Sequence, residues 1–140
     1  MKRSGSAVWR GGLKDGKGTV STGSGTLDET PYSFKDRFEN GVGTNPEELI
    51  AAAHAACFSM ALSVQLGTAG LTAESIETNA GLTMEKLEAG WTITAIHLDV
   101  SAKIPGAEAA AFEKAAQNAK AGCPVSRALN AKITMEARLA

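Results

Sequence analysis

Thr44-Asn45-Pro46-Glu47-Glu48-Leu49-Ile50-Ala51-Ala52-Ala53-His54-Ala55-Ala56-Cys57-Phe58-Ser59-Met60, continuing to Leu66, is the stretch on which the fold turns. Asn45 suits an N-cap, Pro46 the first helical position, and Glu48 completes an Asn-x-x-Glu box. Both glutamates favour the positive end of the helix dipole. From Leu49 to Leu66 the polar residues are His54, Ser59, Ser63 and Gln65, so nearly every face is apolar and the helix is expected to run through the core. Its length suggests a membrane span, but Glu47, Glu48, His54 and Gln65 break the pattern of a spanning helix, so no membrane is expected. Gly67 and Gly70 supply C-terminal stops.

Upstream, residues 7–10 and 19–22 are β-prone runs joined by the Gly- and Asp-containing residues 11–18, which read as a hairpin. Residues 27–38 read as a third strand region, because Tyr32, Phe34, Asp36 and Phe38 alternate and Arg37 then projects from the opposite face. Downstream, residues 75–87 and 91–102 flank Glu88-Ala89-Gly90 and predict two antiparallel strands. After Pro105-Gly106, residues 107–120 carry Ala109, Phe112, Ala116 and Ala119 near helical spacing. A short helix from Cys123 or Pro124 to Leu129 and a closing strand over residues 132–139 complete the chain. The expectation is one α+β domain over residues 1–140.

A chain of 140 residues with 44% hydrophobic and 21% charged content can bury a core of its own. Its 14 basic and 15 acidic residues leave a net charge of −1, which provides no electrostatic footprint for nucleic acid or an anionic membrane. No apolar run of secretory length follows Met1-Lys2-Arg3, so the expected compartment is the cytoplasm. Two cysteines there are not a structural staple, and cytosolic disulfides are usually transient and catalytic or redox-sensing.

Cys57 lies inside the apolar helix, and a thiol in such surroundings is mostly protonated at neutral pH. It needs a stabilising charge, and a guanidinium serves because it stays charged and hydrogen-bonds polar oxygens. Arg37, just before the helix connection, is the candidate. Cys123 stands where Pro124 marks a helix start, a place that favours a thiolate. Together the two thiols can make a nucleophile and resolver pair. Each signal alone has a plainer reading: a lone Cys in an Ala-rich helix is more often a small core hydrophobe, Arg37 a surface charge, and Glu47 a first-turn carboxylate. His54 offers a Cys-His dyad with Cys57 or half of a metal site with Cys57, Cys123 and His97, against the more ordinary role of a helix residue satisfied locally.

The runs Arg37-Phe38-Glu39, Gly43 to Met60 and Ala121-Gly122-Cys123-Pro124-Val125-Ser126, with Trp9 and the Lys17 to Thr22 strand, resemble the OsmC/Ohr family of thiol peroxidases, most closely its osmotically inducible OsmC branch. The resemblance spans essentially the whole chain. It implies antiparallel sheets around a long buried central helix, an intertwined homodimer, and reduction of organic hydroperoxides without metal or bound cofactor. By position, Cys57 would be the peroxidatic thiolate that becomes a sulfenic acid. Cys123 would resolve it as a Cys57–Cys123 disulfide, returned to the dithiol by an external thiol such as a dithiol or lipoyl group. Arg37 would hold the thiolate and polarise the peroxide, and Glu47 would orient Arg37. Phe34, Phe38, Met60 and Leu62 are candidates for an apolar substrate pocket. Glu47 and Cys57 are ten residues apart on one helix, roughly 15 Å along its axis. They meet only if a two-fold partner whose helix runs antiparallel supplies its Glu47, with Arg37 coming from either chain, or if the helix kinks back. An obligate homodimer is therefore expected. The competing class is a non-enzymatic dimer that binds a small apolar ligand, and a thiol hydrolase ranks third.

Overall fold

The computed structural model describes every residue from Met1 to Ala140, which group into two compact units, Met1–Leu49 and Ile50–Ala140. In the first unit, β1 (Gly5–Arg10), β2 (Lys17–Thr22) and β3 (Thr30–Tyr32) form an antiparallel sheet in that order. Gly18 on the central strand pairs with Trp9 on one side and Tyr32 on the other, and those two rings meet at 5.4 Å between centroids. A Cβ at Gly18 would lie 2.5 Å from the Tyr32 ring and 2.7 Å from the Trp9 ring, so only glycine leaves room for the pair.

The third strand is shorter than its alternation suggests. It ends at Tyr32, and Phe34–Phe38 is a single helical turn, α1. Ser33 is the cause: its hydroxyl oxygen accepts the Asp36 N–H and its O–H donates to Asp36 Oδ2 at 2.8 Å, a reciprocal Ser-x-x-Asp cap. Phe34 and Phe38 then fall four apart on one helical face, with rings 4.9 Å apart.

α2 (Pro46–Thr68) is one uninterrupted helix, so the kinked alternative is not adopted. Asn45 Oδ1 accepts the Glu48 N–H at 2.8 Å, as a cap should, while the Glu48 carboxylate takes the Thr44 hydroxyl at 2.7 Å.

In the second unit, β4 (Ser75–Leu87) and β5 (Gly90–Lys103) form an antiparallel hairpin, with Gly90 at φ 121° where the chain turns back. Two helices, α3 (Ala109–Gly122) and α4 (Pro124–Ala128), carry the chain across to β6 (Lys132–Leu139), which pairs parallel with β5. The second sheet, β4-β5-β6, is thus mixed where antiparallel sheets were expected, because a helical crossover restores the strand direction that a hairpin reverses. Ile96, Leu98, Val100 and Ala102 of β5 are fully buried, and with Phe112, Ala116 and Ala119 of α3 they enclose Phe58, Leu62 and Leu66 of α2.

Only one stripe of α2 is buried: His54, Phe58, Leu62 and Leu66, four residues apart. The opposite face, Ala53, Ala56, Met60 and Val64, is exposed, Met60 by 74% and Val64 by 66%. Within one chain the sheet and α3 cover one face of the helix and leave the other bare. By length and composition α2 is also apolar enough to cross a membrane. Its buried stripe is nonetheless committed to the core of the second unit.

Candidate active site

Pro124 decides where Cys123 points. Lacking an N–H, proline cannot continue α3 and pushes the preceding residue out of helical conformation, so Cys123 adopts φ −55°, ψ 127° between two helices. Its N–H still donates to Ala119 O at 2.9 Å and its carbonyl accepts the Arg127 N–H at 3.0 Å. The side chain is left facing inward, fully buried, with Sγ 2.8 Å from Cys57 Sγ; neither cysteine is in a disulfide. Residues 66 apart in sequence are thus in direct sulfur contact.

Burial pushes the Cys57 thiol above its ordinary range, and the neighbouring Cys123 adds to the rise. The Val125 backbone N–H opposes both by favouring the thiolate. The amide donor at the start of α4 therefore serves Cys57, whereas the sequence suggested that this helix start would tune Cys123. A cation is not among the influences on Cys57.

His54, one helical turn before Cys57, is fully buried, and burial lowers its pKa, keeping the imidazole neutral. It is not satisfied locally. Nε2 lies 2.7 Å from Ser126 Oγ, 72 residues away, and Nδ1 has no partner. The other histidine, His97, is exposed on β5 and bonded to Thr134 Oγ1 at 2.7 Å. No group of three or more His, Cys, Asp and Glu side chains is arranged to hold a metal, so the weighed site of His54, Cys57, His97 and Cys123 is not assembled.

In the first unit, Arg37 and Glu47 form an ion pair: Nε donates to Glu47 Oε1 at 2.9 Å and a terminal guanidinium nitrogen lies 2.8 Å from the same oxygen. The Glu47 side chain is only 13% exposed, and its Oε2 is buried without a partner. Asp36 organises this corner. Its carboxylate accepts the Gly43 N–H at 2.7 Å and the Ser33 hydroxyl, and its carbonyl accepts Asn45 Nδ2 at 2.9 Å, so the turn bearing Arg37 is tied to the cap of the helix bearing Glu47. A pocket of about 250 Å³ opens beside the pair, lined by Trp9, Leu13, Tyr32, Ser33, Phe34, Arg37 and Phe38. Phe34 and Phe38, two of the four residues weighed for an apolar substrate pocket, line this one. Leu62 does not, being fully buried in the core of the second unit, and Met60 is exposed.

Sequence reasoning passed over Asp36 and Ser126. Asp36 had a readable signal in the Ser33-x-x-Asp36 spacing. Ser126 had none, because its partner is fixed only by tertiary packing.

Comparison with known proteins places these features in a lineage. The family profile described as OsmC-like protein matches residues 38–138. The chain is 55% identical to the peroxiredoxin OsmC of Escherichia coli over 139 residues, covering 99% of this chain and 97% of that one. It is 31% identical over 96 residues to the organic hydroperoxide resistance protein OhrA of Bacillus subtilis, covering 66% of each. Among solved structures, the organic hydroperoxide resistance protein OhrB of Bacillus subtilis superposes with a TM-score of 0.75 at 24% identity, covering 96% of this chain and 98% of that one.

Proposed function

This chain belongs to the OsmC family, and on that premise we propose that it is a cysteine-based peroxidase that reduces organic hydroperoxides to alcohols. The observation that carries the reading is the 2.8 Å separation of Cys57 and Cys123 Sγ. The Cys57 thiolate attacks the terminal peroxide oxygen, the O–O bond breaks, the alkoxide leaves and takes a proton to become the alcohol, and Cys57 is left as a sulfenic acid. Cys123 then displaces water to form the disulfide, and an external dithiol or lipoyl-type donor returns both sulfurs to thiols. The names peroxiredoxin OsmC and organic hydroperoxide resistance protein, carried by relatives, support the substrate class. We assign the reaction to the cytoplasm, where thiols are kept reduced.

Cys57 as it stands is a poor nucleophile, because burial and Cys123 keep it protonated. The pair of Arg37 and Glu47 is the charge we assign to it, supplied by a two-fold partner in an obligate homodimer, and the bare apolar face of α2 supports that assembly. The aromatic pocket beside Arg37 then receives the alkyl group. Mixing Cys57→Ser and Arg37→Met variants, each inactive alone, is expected to restore about a quarter of wild-type turnover if sites are completed across the two-fold axis. No restoration means that they are completed within one chain.

The test of function is a thiol count. Stoichiometric hydroperoxide should remove two free thiols per chain while peroxide disappears, faster as the alkyl group lengthens. A protein that only binds an apolar ligand keeps both thiols, and that result refutes the peroxidase.

A further inference from the structure

α4 is five residues long and buries none of its own side chains, yet it follows directly on Cys123 and brings the Val125 N–H to Cys57. Something must hold it against α2. The burial of Cys123 fixes its first end, and the only side-chain hydrogen bond made by α4 is the one between Ser126 and His54. His54 and Cys57 are three residues apart on α2, and Ser126 and Cys123 are three apart across the start of α4. Two adjacent rungs therefore join the same two segments, one of sulfur to sulfur and one of imidazole to hydroxyl.

The tautomer follows from burial. Nδ1 of His54 is buried and unpartnered, and an orphaned N–H is rarer in protein interiors than an orphaned lone pair. Nδ1 therefore carries the lone pair, and Nε2–H donates to Ser126 Oγ. His54 gains no hydrogen bond from elsewhere in the chain, so a complete loss of this rung leaves a fully buried imidazole without any partner. That one-sidedness makes the rung costly to open.

We propose that His54 and Ser126 are positioning residues that latch α4 onto α2, holding Cys123 in bonding range of Cys57 so that the disulfide forms before Cys57 is oxidised further. The step they serve is Cys57–SOH plus Cys123–SH giving Cys57–S–S–Cys123 and water. The new S–S bond replaces the S–O bond, Cys123 is oxidised, the Cys57 sulfur is reduced, and the departing hydroxide takes the thiol proton. Neither residue touches the peroxide. The inference rests on the peroxidase reading for its kinetics, but the closeness of the two sulfurs can be tested without it.

Wild type, Ser126→Ala, Ser126→Thr and His54→Gln proteins would be compared in two ways, after matched thermal melts show that each is folded. In a stoichiometric hydroperoxide pulse, Ser126→Ala should lose its first thiol at the wild-type rate and its second about five- to tenfold more slowly. Excess peroxide should then raise the mass of Cys57 by the two oxygens of a sulfinic acid. In a dithiothreitol redox buffer, which needs no peroxide, its disulfide should be reduced at a correspondingly lower dithiol concentration. Ser126→Thr, which keeps the hydroxyl, and His54→Gln, whose amide nitrogen can stand near Nε2, should both recover most of the loss. If wild type loses no thiols to peroxide, the peroxidase reading falls and the redox buffer alone judges the latch. The latch is overturned if Ser126→Ala matches wild type in the redox buffer, if Ser126→Thr recovers nothing, or if the first thiol slows as much as the second.

Discussion

Met60→Glu tests the assembly on which the proposed site depends. Met60 and Val64 are 74% and 66% exposed on the face of α2 turned away from the core. Fully burying such a side chain contributes about 1.5–3 kcal/mol, so covering the exposed part of each is worth roughly 1–2 kcal/mol, or roughly 4–8 kcal/mol for the four side chains that a two-fold axis brings together. The substitution removes the two methionine contributions, roughly 2–4 kcal/mol, and forces two carboxylates into an apolar seam at a further cost of at least a few kcal/mol. The dimer dissociation constant should rise by at least about a thousandfold. Because the position is exposed in the single chain, the fold should survive, which a circular dichroism melt checks. Sedimentation velocity at micromolar concentration should show a dimer for wild type and a monomer for the variant. Peroxidase turnover should fall with the dimer fraction and return as protein concentration is raised. A Met60→Glu protein that sediments as wild type does, or a wild-type monomer with full turnover, refutes the assembly and the shared site with it.

Three other outcomes follow from individual contacts. Gly18→Ala places a methyl group 2.5 Å from the Tyr32 ring and should cost about 1–3 kcal/mol of stability by urea titration, with weakened turnover of bulky hydroperoxides as Trp9 and Tyr32 are displaced from the pocket wall. His54 has a folded-state pKa below its ordinary 6.5, so the unfolded chain binds the extra proton first as pH falls. Stability should be full above about pH 6.5 and decline below it until the folded value is reached, a slope that His54→Gln removes in melts taken across pH. Arg37→Met should leave Cys57 governed by burial and Cys123, so the pH midpoint of its alkylation by iodoacetamide should lie above that of an ordinary thiol and above that of wild type. Equal midpoints in the two proteins would remove Arg37 from the thiolate.

What sequence could and could not reveal divides along physical lines. The start of α2, the hairpin of β4 and β5, and the break at Cys123 are set by local chemistry: the Asn45 cap, a glycine at φ 121°, and a proline without an N–H. Such features are legible because their causes lie within a few residues. The segment after Tyr32 misled because its aromatic alternation is equally compatible with a strand and with one turn of helix, and the Ser33 to Asp36 cap outweighs it. The parallel pairing of β6 follows from the crossover through α3 and α4, and no residue of β6 itself encodes it. The partner of His54 was hidden for a related reason: 72 residues separate it from Ser126, and only the packing of α4 brings them together.

In the proposed reaction the chemistry is built in two halves. One unit provides a cation already oriented: Arg37 is held by Glu47, and Asp36 braces the turn between them. The other provides two sulfurs in contact in an environment that suppresses the charged form of the first. A half-buried thiol kept neutral is protected from adventitious oxidation, since the thiolate is the species that reacts. A guanidinium brought alongside reverses that preference by adding an attraction available only to the charged sulfur. If the second half is activated only when a partner delivers the first, an isolated, newly made chain carries a quiescent cysteine pair, and assembly creates the nucleophile. On the proposed reading the bare face of α2 has a chemical as well as a packing role, since a contact that covers Met60 and Val64 would also bring the charge to Cys57.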